Sequence, residues 1–384
     1  MRHAIALGWR GWGRVHPNPM VGAVLLADGA AVAEGFHAEF GGPHAEREAV
    51  EAAGERARGA TLVVSLEPCT NWGKQPPCVG VLVEAGVRRV VAAVADPNPI
   101  ARGGADELRA AGLEVELGLL EDAARRQNAA FFHRFLGVER PWIALKLATS
   151  VDFRIADAAG RSRWISGPEG REFVHELRAG FEALAVGAVT AVRDDPSLTV
   201  RGAIAPRVPP RRVVFAGRSA LTETLGLIRT ARAIPTTVIT APGADSLPPA
   251  RLADLGAEVI ESAEPEAALR ALWRQGVTTL LVEGGGRLAG SLLSRGLVDR
   301  FYWIQAPVWL GSGGTPAVSG WNVAALDAAE RWTVIDRRPL GADTLLVLDR
   351  AGCSPVSCPR WARSARSGPA PTGRRSPSPR HSRV

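Results

Sequence analysis

The sequence predicts an α/β protein with two domains in series, and three observations lead to this prediction. At 384 residues the chain is too long for one hydrophobic core and suits two domains of ordinary size. Short aliphatic segments alternate with helical segments along both halves, which is typical of sheets covered by helices. A polar segment, Gly137-Val-Glu-Arg-Pro141, separates the halves. We therefore expect domains at residues 1–137 and 141–350, followed by a tail at 351–384.

The first domain combines four predicted strands with four predicted helices. Aliphatic and β-branched runs predict strands at 21–26, 61–65, 90–95 and 114–118. Helix-forming stretches between them predict helices at 43–53, 79–85, 106–111 and 120–135. This alternation indicates a layered sheet with helices on both faces.

The second domain shows the same alternation and is also predicted to be α/β. Strands are predicted at 142–147, 183–186, 212–215, 236–240, 258–260 and 279–282. Helices are predicted at 168–179, 250–254, 264–275 and 288–294. The segments 297–306 and 344–348 are expected to complete the sheet.

His44, Cys69 and Cys78 form the pattern that bears most directly on function. One imidazole and two thiolates are a zinc ligand set that leaves one tetrahedral position for water, as in catalytic sites. Glu46 lies two residues after His44, where it can take a proton from zinc-bound water and pass it to a leaving amine, as in zinc deaminases of bases. The sequence therefore predicts a hydrolytic site with one zinc ion per chain and Glu46 as its catalytic residue.

A structural zinc site, or a buried histidine beside two unrelated thiols, is the simpler alternative. A structural site normally takes a fourth protein ligand, and no further Cys or His is grouped with these three in the sequence. The predicted helix at 43–53 begins at the histidine, and the predicted strand at 61–65 leads to Glu67-Pro68-Cys69. These placements favour the catalytic interpretation.

The spacing of the two cysteines narrows the substrate class. Base deaminases typically carry Pro-Cys-x-x-Cys, whereas eight residues separate Cys69 from Cys78 here. The same half contains His16-Pro-Asn-Pro-Met-Val-Gly-Ala23, Gly35-Phe-His37, Gly41-Gly-Pro-His-Ala-Glu46 and Asp96-Pro-Asn-Pro99. Together these motifs resemble the deaminase half of the bifunctional deaminase/reductase of riboflavin biosynthesis. The resemblance implies a small phosphorylated pyrimidine as substrate, a diaminopyrimidinone that carries a ribosylamino 5′-phosphate.

The resemblance continues beyond the zinc motif and covers about residues 1–350. Five motifs look like the family's reductase half and occur in its order: Lys146-x-Ala148-x-Ser150-x-Asp152, Ser162-x-Trp164-Ile165-Ser166, Leu177-Arg178-Ala179, Asp194-Asp-Pro-Ser-Leu-Thr-Val-Arg201 and Val282-Glu-Gly-Gly-Gly286. The resemblance implies a cytidine-deaminase-like three-layer α/β/α domain followed by a dihydrofolate-reductase-like α/β domain. It also implies NADPH as a second cofactor, and thus a zinc-dependent hydrolase joined to an NADPH-dependent oxidoreductase.

The resemblance further implies which residues of the reductase half bind ligands. Contacts to the dinucleotide are implied for Ala148, Trp164, Thr190 and Asp194. A phosphate contact is expected for three glycines between a predicted strand and a predicted helix, Gly284, Gly285 and Gly286. Contacts to the substrate are implied for Ser162, Arg178, Leu198, Arg201 and Glu283. The two arginines suit the 5′-phosphate because a guanidinium offers paired donors, and a surface ion pair is the alternative for each.

In the deaminase half, Asn18 and His37 are the candidate substrate contacts. Asn18 lies between two prolines that stiffen its loop, and its amide can pair with the edge of a base. His37 is either a substrate contact, as the family suggests, or a histidine packed at the end of a strand. The sequence leaves both roles open.

Four positions depart from the family pattern. Asn71 stands where the family usually has His. Lys74 and Gln75 stand where it often has Arg and Thr, which alters the groups that can hold the ribose phosphate, although Lys74 keeps the positive charge. Phe153 stands where the family carries Gly. If that turn requires a positive φ, an aromatic residue there costs free energy and the loop must change shape.

The charge distribution bears on possible partners. The net charge is +7, and the tail at 351–384 contains seven arginines and no acidic residue, so the rest of the chain is neutral. The tail is also rich in Ser, Pro and Gly, which predicts disorder. It is either a dispensable extension or a tether to nucleic acid or membrane, and the neutral body favours the extension. Cys353 and Cys358 lack histidines at zinc-finger spacing and are expected to be free thiols.

We expect a cytoplasmic enzyme without nucleic-acid or membrane partners, because the sequence contains neither a long uncharged apolar stretch nor an export signal. We also expect a homo-oligomer, either a dimer or a tetramer. Two rival classes are a nucleic-acid base deaminase with an accessory domain and a monofunctional deaminase with an inactive C-terminal domain. The cysteine spacing and the complete set of reductase motifs argue against the first, and Phe153 keeps the second open.

Overall fold

The computed structural model describes residues 1–244 and 247–350, which build two large sheets flanked by helices. The basic tail, with Cys353 and Cys358, lies outside the described residues, so the expectation of disorder is not examined by the structure. In the described part of the chain, no helix is both long and apolar enough to cross a membrane.

The first sheet has five strands in the order β2-β1-β3-β4-β5. The strands are β1 Gly22–Ala27, β2 Ala30–Phe36, β3 Thr61–Val64, β4 Arg89–Ala92 and β5 Glu114–Leu117. The helices are α1 Arg2–Gly8, α2 Ala45–Ala53, α3 Cys78–Glu84, α4 Gly104–Ala110, α5 Glu121–Gln127 and α6 Ala129–His133. β1 pairs antiparallel with β2 and β3, whereas β3, β4 and β5 run parallel. The carboxyl ends of these three strands therefore meet at one edge.

The second sheet has nine strands in the order β11-β10-β9-β8-β12-β6-β13-β16-β15, and β7 and β14 form a separate ribbon. The strands are β6 Trp142–Thr149, β7 Arg154–Ala156, β8 Ala183–Gly187, β9 Arg211–Gly217, β10 Thr236–Thr240, β11 Glu258–Glu261, β12 Thr279–Glu283, β13 Arg300–Gln305, β14 Thr315–Pro316, β15 Trp332–Leu340 and β16 Asp343–Arg350. The helices are α7 Pro168–Ala179, α8 Ala188–Asp194, α9 Gly226–Arg229, α10 Pro249–Asp254, α11 Pro265–Arg274 and α12 Gly286–Ser294. The sheet is parallel from β11 to β13, and β16 pairs antiparallel with both β13 and β15.

Both faces of each sheet carry a hydrophobic core. Along β12, Leu280 packs in the cluster on one face and Leu281 in the cluster on the other, because side chains of a strand alternate between faces. Val213 and Val214 of β9 do the same. Parallel strands buried on both faces need such continuous aliphatic runs, which explains why these strands were predictable from composition.

The predicted α/β architecture is confirmed, with differences at weakly patterned elements. The elements absent from the prediction are α1, β2, β7, α8, α9, β14 and β15. β15 carries charges and a proline, as exposed edge strands commonly do, and therefore lacks a hydrophobic pattern. The helix predicted at 120–135 is two helices, because the side-chain amide of Asn128 binds both the N–H and the carbonyl of Met20 across the break.

Several direct contacts join the two domains. The indole of Trp12 donates to the carbonyl of Glu176 at 2.8 Å and packs against Phe181. His16 of the first domain lies 2.7 Å from a carboxylate oxygen of Glu182 in the second. A cavity of about 270 Å³ lies in this seam.

Candidate active sites

His44, Cys69 and Cys78 converge at the carboxyl edge of the first sheet. His44 directly precedes α2, Cys78 is the first residue of α3, and Cys69 lies in the loop after β3. One ligand atom of each residue lies within 4.8 Å of the others. Nδ1 of His44 is 3.3 Å from Sγ of Cys78 and 3.5 Å from Sγ of Cys69. The structure thus brings together the three residues that the sequence predicts as zinc ligands.

The ionisation of this cluster suits a bound cation. Burial raises the pKa of Glu46 to about 7, although the nearby His44 opposes the rise. A hydrogen bond from the Cys78 thiol lowers the pKa of Cys69 to about 4, and the same pairing raises the pKa of Cys78. Burial and the neighbouring charges thus disfavour the ionised forms of Glu46 and Cys78, and a divalent cation would stabilise those forms. One nitrogen and two sulfur donors fit tetrahedral zinc with one open position.

Glu67 fixes the loop that presents the first cysteine. Its two carboxylate oxygens accept hydrogen bonds from the backbone N–H groups of Ala105 and Asp96, each at 2.9 Å. Gly104 permits the close approach of this loop, because a Cβ at that position would lie 1.8 Å from the carbonyl oxygen of Pro68. Glu67 therefore has a positioning role that its place in the sequence motif did not reveal.

Asn18 and His37 form one hydrogen-bonded unit beside the metal ligands. Nδ1 of His37 is 2.8 Å from the carbonyl oxygen of Pro43, and its Nε2 is 3.1 Å from the side-chain nitrogen of Asn18. The ring of His37 packs edge-on against His44 with centroids 5.3 Å apart. Burial lowers the pKa of His37, which favours a neutral ring that donates to Pro43 and accepts from Asn18. This arrangement holds the Asn18 amide in one orientation.

The segment between the two cysteines covers the same region. Gln75 donates its side-chain N–H to the carbonyl of Gly41 at 2.9 Å, and the ammonium of the exposed Lys74 lies 4.2 Å from the ring centroid of Phe40. Asn71 lies in the same segment, and its side chain is half-buried. These contacts place Lys74 beside residues that lead directly into His44.

The predicted phosphate loop lies between β12 and α12. Gly284 and Gly285 have φ values of 76° and 87°, which only glycine adopts readily. A Cβ on Gly286 would lie 2.5 Å from the carbonyl oxygen of Pro316, and one on Gly285 would lie 3.2 Å from Oγ1 of Thr190. The structure therefore brings Thr190 beside the glycines. Backbone amides at the start of α12 are suited to a phosphate group.

The other residues predicted to bind the dinucleotide are less closely grouped. Oγ of Ser162 lies 3.5 Å from Oδ1 of Asp194, so these two are adjacent. Trp164 is 70% exposed and its ring contacts the guanidinium of Arg171 at 4.9 Å. Ala148 lies in β6 and packs partly against the core. Among the described residues, no hydrogen bond or ring contact joins Trp164 or Ala148 directly to Asp194.

Arg178 and Glu283 form a buried two-point ion pair. Nε and Nη2 of Arg178 lie 2.5 and 2.9 Å from the two carboxylate oxygens, and Nη1 donates to the carbonyl of Thr199 at 3.0 Å. Arg178 does form an ion pair, which was the alternative role for this residue, but the pair is buried and not at the surface. Thr199 follows Leu198, which is buried and has a φ of 46°.

Two further residues join this charged cluster and were not predicted as site residues. Lys146 lies opposite Glu283 in the β6–β12 register, and burial lowers its pKa while Glu283 opposes the shift. Nδ1 of His175 accepts the backbone N–H of Arg201 at 3.1 Å. Lys146 is the single charged residue of an otherwise apolar predicted strand, and His175 lies three residues before Arg178 on a predicted helix. Those two signals were available in the sequence.

Two family models match the chain. The cytidine and deoxycytidylate deaminase zinc-binding region matches residues 1–94, and the RibD C-terminal domain matches residues 141–346. Riboflavin biosynthesis protein RibD from Aquifex aeolicus is 38% identical over 314 residues, which are 82% of this chain and 87% of that protein. The Escherichia coli RibD is 36% identical over 372 residues, 91% of this chain and 98% of that protein. The chain belongs to the RibD family.

Solved RibD structures share the whole two-domain fold. Acinetobacter baumannii RibD superposes with a TM-score of 0.77 at 34% identity, covering 91% of this chain and 97% of that one. The diaminohydroxyphosphoribosylaminopyrimidine deaminase/5-amino-6-(5-phosphoribosylamino)uracil reductase of Thermotoga maritima gives the same values. The cytidine-deaminase-like first domain and the dihydrofolate-reductase-like second domain are thereby confirmed, as is the pairing of a zinc-dependent hydrolase with an NADPH-dependent oxidoreductase. Neither rival class is favoured.

Phe153 stands where the family resemblance led us to expect glycine, and its backbone adopts a conformation that glycine favours. Its φ is 60°, in the left-handed region that is costly for a bulky residue. Its ring packs edge-on against Trp303 with centroids 5.3 Å apart. The preceding Asp152 accepts hydrogen bonds from the backbone N–H groups of Leu310 and Gly311 at 3.1 and 2.7 Å. Packing and these bonds hold the turn with phenylalanine in this conformation.

Proposed function

We propose that this RibD protein deaminates 2,5-diamino-6-ribosylamino-4(3H)-pyrimidinone 5′-phosphate and then reduces the ribosyl group with NADPH to give 5-amino-6-(5-phosphoribitylamino)uracil. The observation that carries the proposal is the convergence of His44, Cys69 and Cys78 beside the buried carboxyl group of Glu46. The match of residues 141–346 to the RibD C-terminal domain supports the second step.

In the deamination, Glu46 is the proton carrier. Nδ1 of His44 and the sulfurs of Cys69 and Cys78 would hold a zinc ion, and this ion would supply a nucleophile at neutral pH by lowering the pKa of water to about 7. A carboxylate oxygen of Glu46 accepts the proton of the attacking water and passes it to the departing exocyclic amine, which leaves as ammonia. The carboxyl group of Glu46 is buried at the site, so it exchanges this proton with the attacking water and the leaving amine and not with bulk solvent.

The pyrimidine ring is oriented by Asn18 in this proposal. Its amide nitrogen is engaged by Nε2 of His37, so its carbonyl oxygen is left to accept a hydrogen bond from an N–H on the edge of the ring. His37 then acts through Asn18, because both of its ring nitrogens already have protein partners.

In the reduction, the fold must hold the nicotinamide against C1 of the opened ribose and exclude water. NADPH supplies the hydride for this step. We assign the phosphates of the dinucleotide to Gly284, Gly285 and Gly286, with Thr190 beside them, and further dinucleotide contacts to Ala148, Trp164 and Asp194.

The substrate contacts of the reductase form the other part of the assignment. They are Ser162, Arg178, Leu198, Arg201 and Glu283. Because Arg178 is already engaged by Glu283, it can offer only part of its guanidinium to the substrate phosphate, whereas the exposed Arg201 can offer all of its donors.

We assign the deaminase to residues 1–137 and the reductase to residues 141–350. We further propose a cytoplasmic homo-oligomer, a dimer or a tetramer, that takes a small-molecule substrate and binds neither nucleic acid nor membrane. The thiolate ligands support a reducing compartment. The arginines of the tail account for the whole net charge, so the catalytic body offers no general attraction to polyanions.

The direct test is to incubate the purified protein with the ribosylamino phosphate substrate, with and without NADPH, and to identify the products by mass. Without NADPH we expect ammonia and the uracil derivative, in which an oxygen replaces the amine. With NADPH we expect the further gain of two hydrogens. If the uracil derivative accumulates and NADPH is not consumed, the protein is a monofunctional deaminase.

A further inference from the structure

A loop of the second domain docks on the part of the first domain that leads to Asn18 and His44. Between Arg201 and β9 the chain extends to the first domain, where the backbone N–H of Arg207 donates to the carbonyl of Gly13 at 2.9 Å. The guanidinium of Arg207 donates to the carbonyl of His16 at 2.9 Å, and Arg14 donates to the carbonyl of Ala205 at 3.4 Å. The loop is therefore docked on residues 13–16 by bonds that are largely independent of its side chains.

Residues 13–16 lead directly to the substrate side of the deaminase. Asn18 follows two residues later, and its backbone N–H donates to the carbonyl of Val15 at 2.9 Å. Phe40 is tied to the same turn, because its N–H donates to the carbonyl of Arg14 at 3.2 Å. The docked loop thus lies beside the segment that carries both Phe40 and, four residues later, His44.

Two cations share the ring of Phe40. The ammonium of Lys74 lies 4.2 Å from the ring centroid, and the guanidinium carbon of Arg207 lies 4.8 Å from it. Both side chains are exposed, and neither is paired with a carboxylate in the described part of the chain. The neighbouring Arg14 is different, because its charge is matched by Glu39 at 2.7 Å. Two cations that lie against the same ring and lack carboxylate partners are suited to bind a multiply charged anion.

We propose that Arg207, a residue of the reductase domain, binds the 5′-phosphate of the deaminase substrate together with Lys74. This inference rests on the proposed function, which supplies a phosphate on the deaminase substrate. Lys74 comes from the segment between two zinc ligands, and Arg207 comes from the other domain, so the phosphate is held where the domains meet. The reductase domain thereby completes the deaminase site without taking part in its chemistry.

The test replaces Arg207 by methionine, which keeps the length of the side chain and removes its charge. Deamination kinetics are measured on the full chain with the phosphorylated substrate and with its dephosphorylated counterpart. We expect KM for the phosphorylated substrate to rise about ten- to a hundredfold, the scale of one lost hydrogen bond to a charged group, while kcat stays unchanged. With the dephosphorylated substrate, wild type and variant should have the same KM. Arg207→Lys should recover most of the loss.

Arg211→Met is the matched control, because Arg211 borders the same seam between the domains but pairs with Glu258. It should leave KM unchanged for both substrates. The reductase step, supplied with the deaminated intermediate, should be unchanged in Arg207→Met. Equal losses with both substrates, or no loss with either, would overturn the proposal. Absence of ammonia release by the wild type would instead reject the proposed function, and the inference with it.

Discussion

The deaminase and reductase sites are built in opposite ways. The metal cluster comes from one short stretch of chain, residues 44–78, and each ligand lies at or just before the start of a helix or in the loop after β3. The charged cluster that we assign to the reductase site contains Lys146, Arg178 and Glu283, which meet only because β6, β12 and α7 pack together. A locally encoded site can be recognised from spacing, whereas a distributed site depends on the tertiary fold.

The two sites also differ in what stabilises them. In the deaminase cluster, burial and neighbouring groups raise the pKa values of Glu46 and Cys78. The reductase cluster is balanced internally by a buried ion pair. The first cluster is therefore suited to a metal ion, whereas the charges of the second are paired by its own side chains.

The largest expected effect tests the dependence on metal. Cys78→Ser should lose both zinc and ammonia release, because a hydroxyl group is a poor substitute for a thiolate ligand. Metal content by mass spectrometry and ammonia release measure the two losses. Cys353→Ser is the matched control and should keep one zinc per chain. Full zinc occupancy in Cys78→Ser would contradict the assignment of this ligand.

The next effect tests the internal balance of the reductase site. Glu283→Gln leaves Arg178 buried without its carboxylate, which should cost about 3 kcal/mol or more of the free energy of unfolding. Glu223→Gln breaks a two-point pair with Arg251 of similar geometry that is about half exposed, and its cost should be much smaller because solvent screens the pair. Denaturant unfolding measures both. Equal costs would show that the buried pair contributes no more than a surface pair.

The same pair predicts a dependence on pH. Burial alone would raise the pKa of Glu283. The charges of Arg178 and Lys146 outweigh burial and hold this pKa below its usual value of 4.5. A carboxylate with a depressed pKa in the folded state stabilises the protein above its unfolded pKa, and this contribution is lost as pH falls through the folded value. Wild type should therefore lose more stability than Glu283→Gln when the pH is lowered from 7 to below 4.5. Parallel losses in the two proteins would contradict the shift.

A smaller effect separates the roles within the reductase site. Arg201→Ala should mainly raise KM for the deaminated intermediate, about tenfold, because it removes binding that is equal in the ground and transition states. Asp194→Ala should mainly lower kcat if it lies beside the nicotinamide. Steady-state NADPH oxidation measures the contrast, with the exposed Arg270→Ala as a surface control. The assignment would be wrong if both variants changed the same parameter.

The smallest effect concerns Phe153. Glycine at this position removes the cost of a positive φ, about 1 kcal/mol or more, but also removes the ring contact with Trp303, which is of similar size. Phe153→Gly should therefore change the melting temperature little and leave NADPH oxidation equal or slightly higher. Phe153→Leu keeps the strain and loses the aromatic contact, so it should be the less stable of the two. A sharp rise in turnover in Phe153→Gly would instead show that the phenylalanine impairs hydride transfer.

The strands and helices that were predicted correctly are those whose pattern is contained in their own residues. Buried parallel strands such as β8 and β12 are continuous aliphatic runs, so composition identifies them. β15 and β2 lack such runs, because both are edge strands and few of their residues are fully buried. The split between α5 and α6 depends on Asn128 binding Met20, more than a hundred residues away. No local pattern contains that information.

The same limit applies to the sites. His44, Cys69, Cys78 and Glu46 were predicted because zinc chemistry requires these residue types at short spacing. The engagement of Arg178 by Glu283 and the proximity of Arg207 to Phe40 join residues far apart in the sequence. The assignments of individual residues to the dinucleotide and the substrate stay predictions, since they depend on ligand contacts.

The central claim is that one chain carries two chemically independent sites, and a crossed pair of variants tests it most directly. Glu46→Gln and Glu283→Gln are each assayed for ammonia release from the ribosylamino phosphate and for NADPH oxidation with the deaminated intermediate, with Glu51→Gln on α2 as control. We expect Glu46→Gln to retain zinc, to lose ammonia release by about a hundredfold or more, and to oxidise NADPH normally. Glu283→Gln should release ammonia normally and should lose NADPH oxidation. Loss of both activities in Glu46→Gln, in a protein that is folded and contains zinc, would contradict the account.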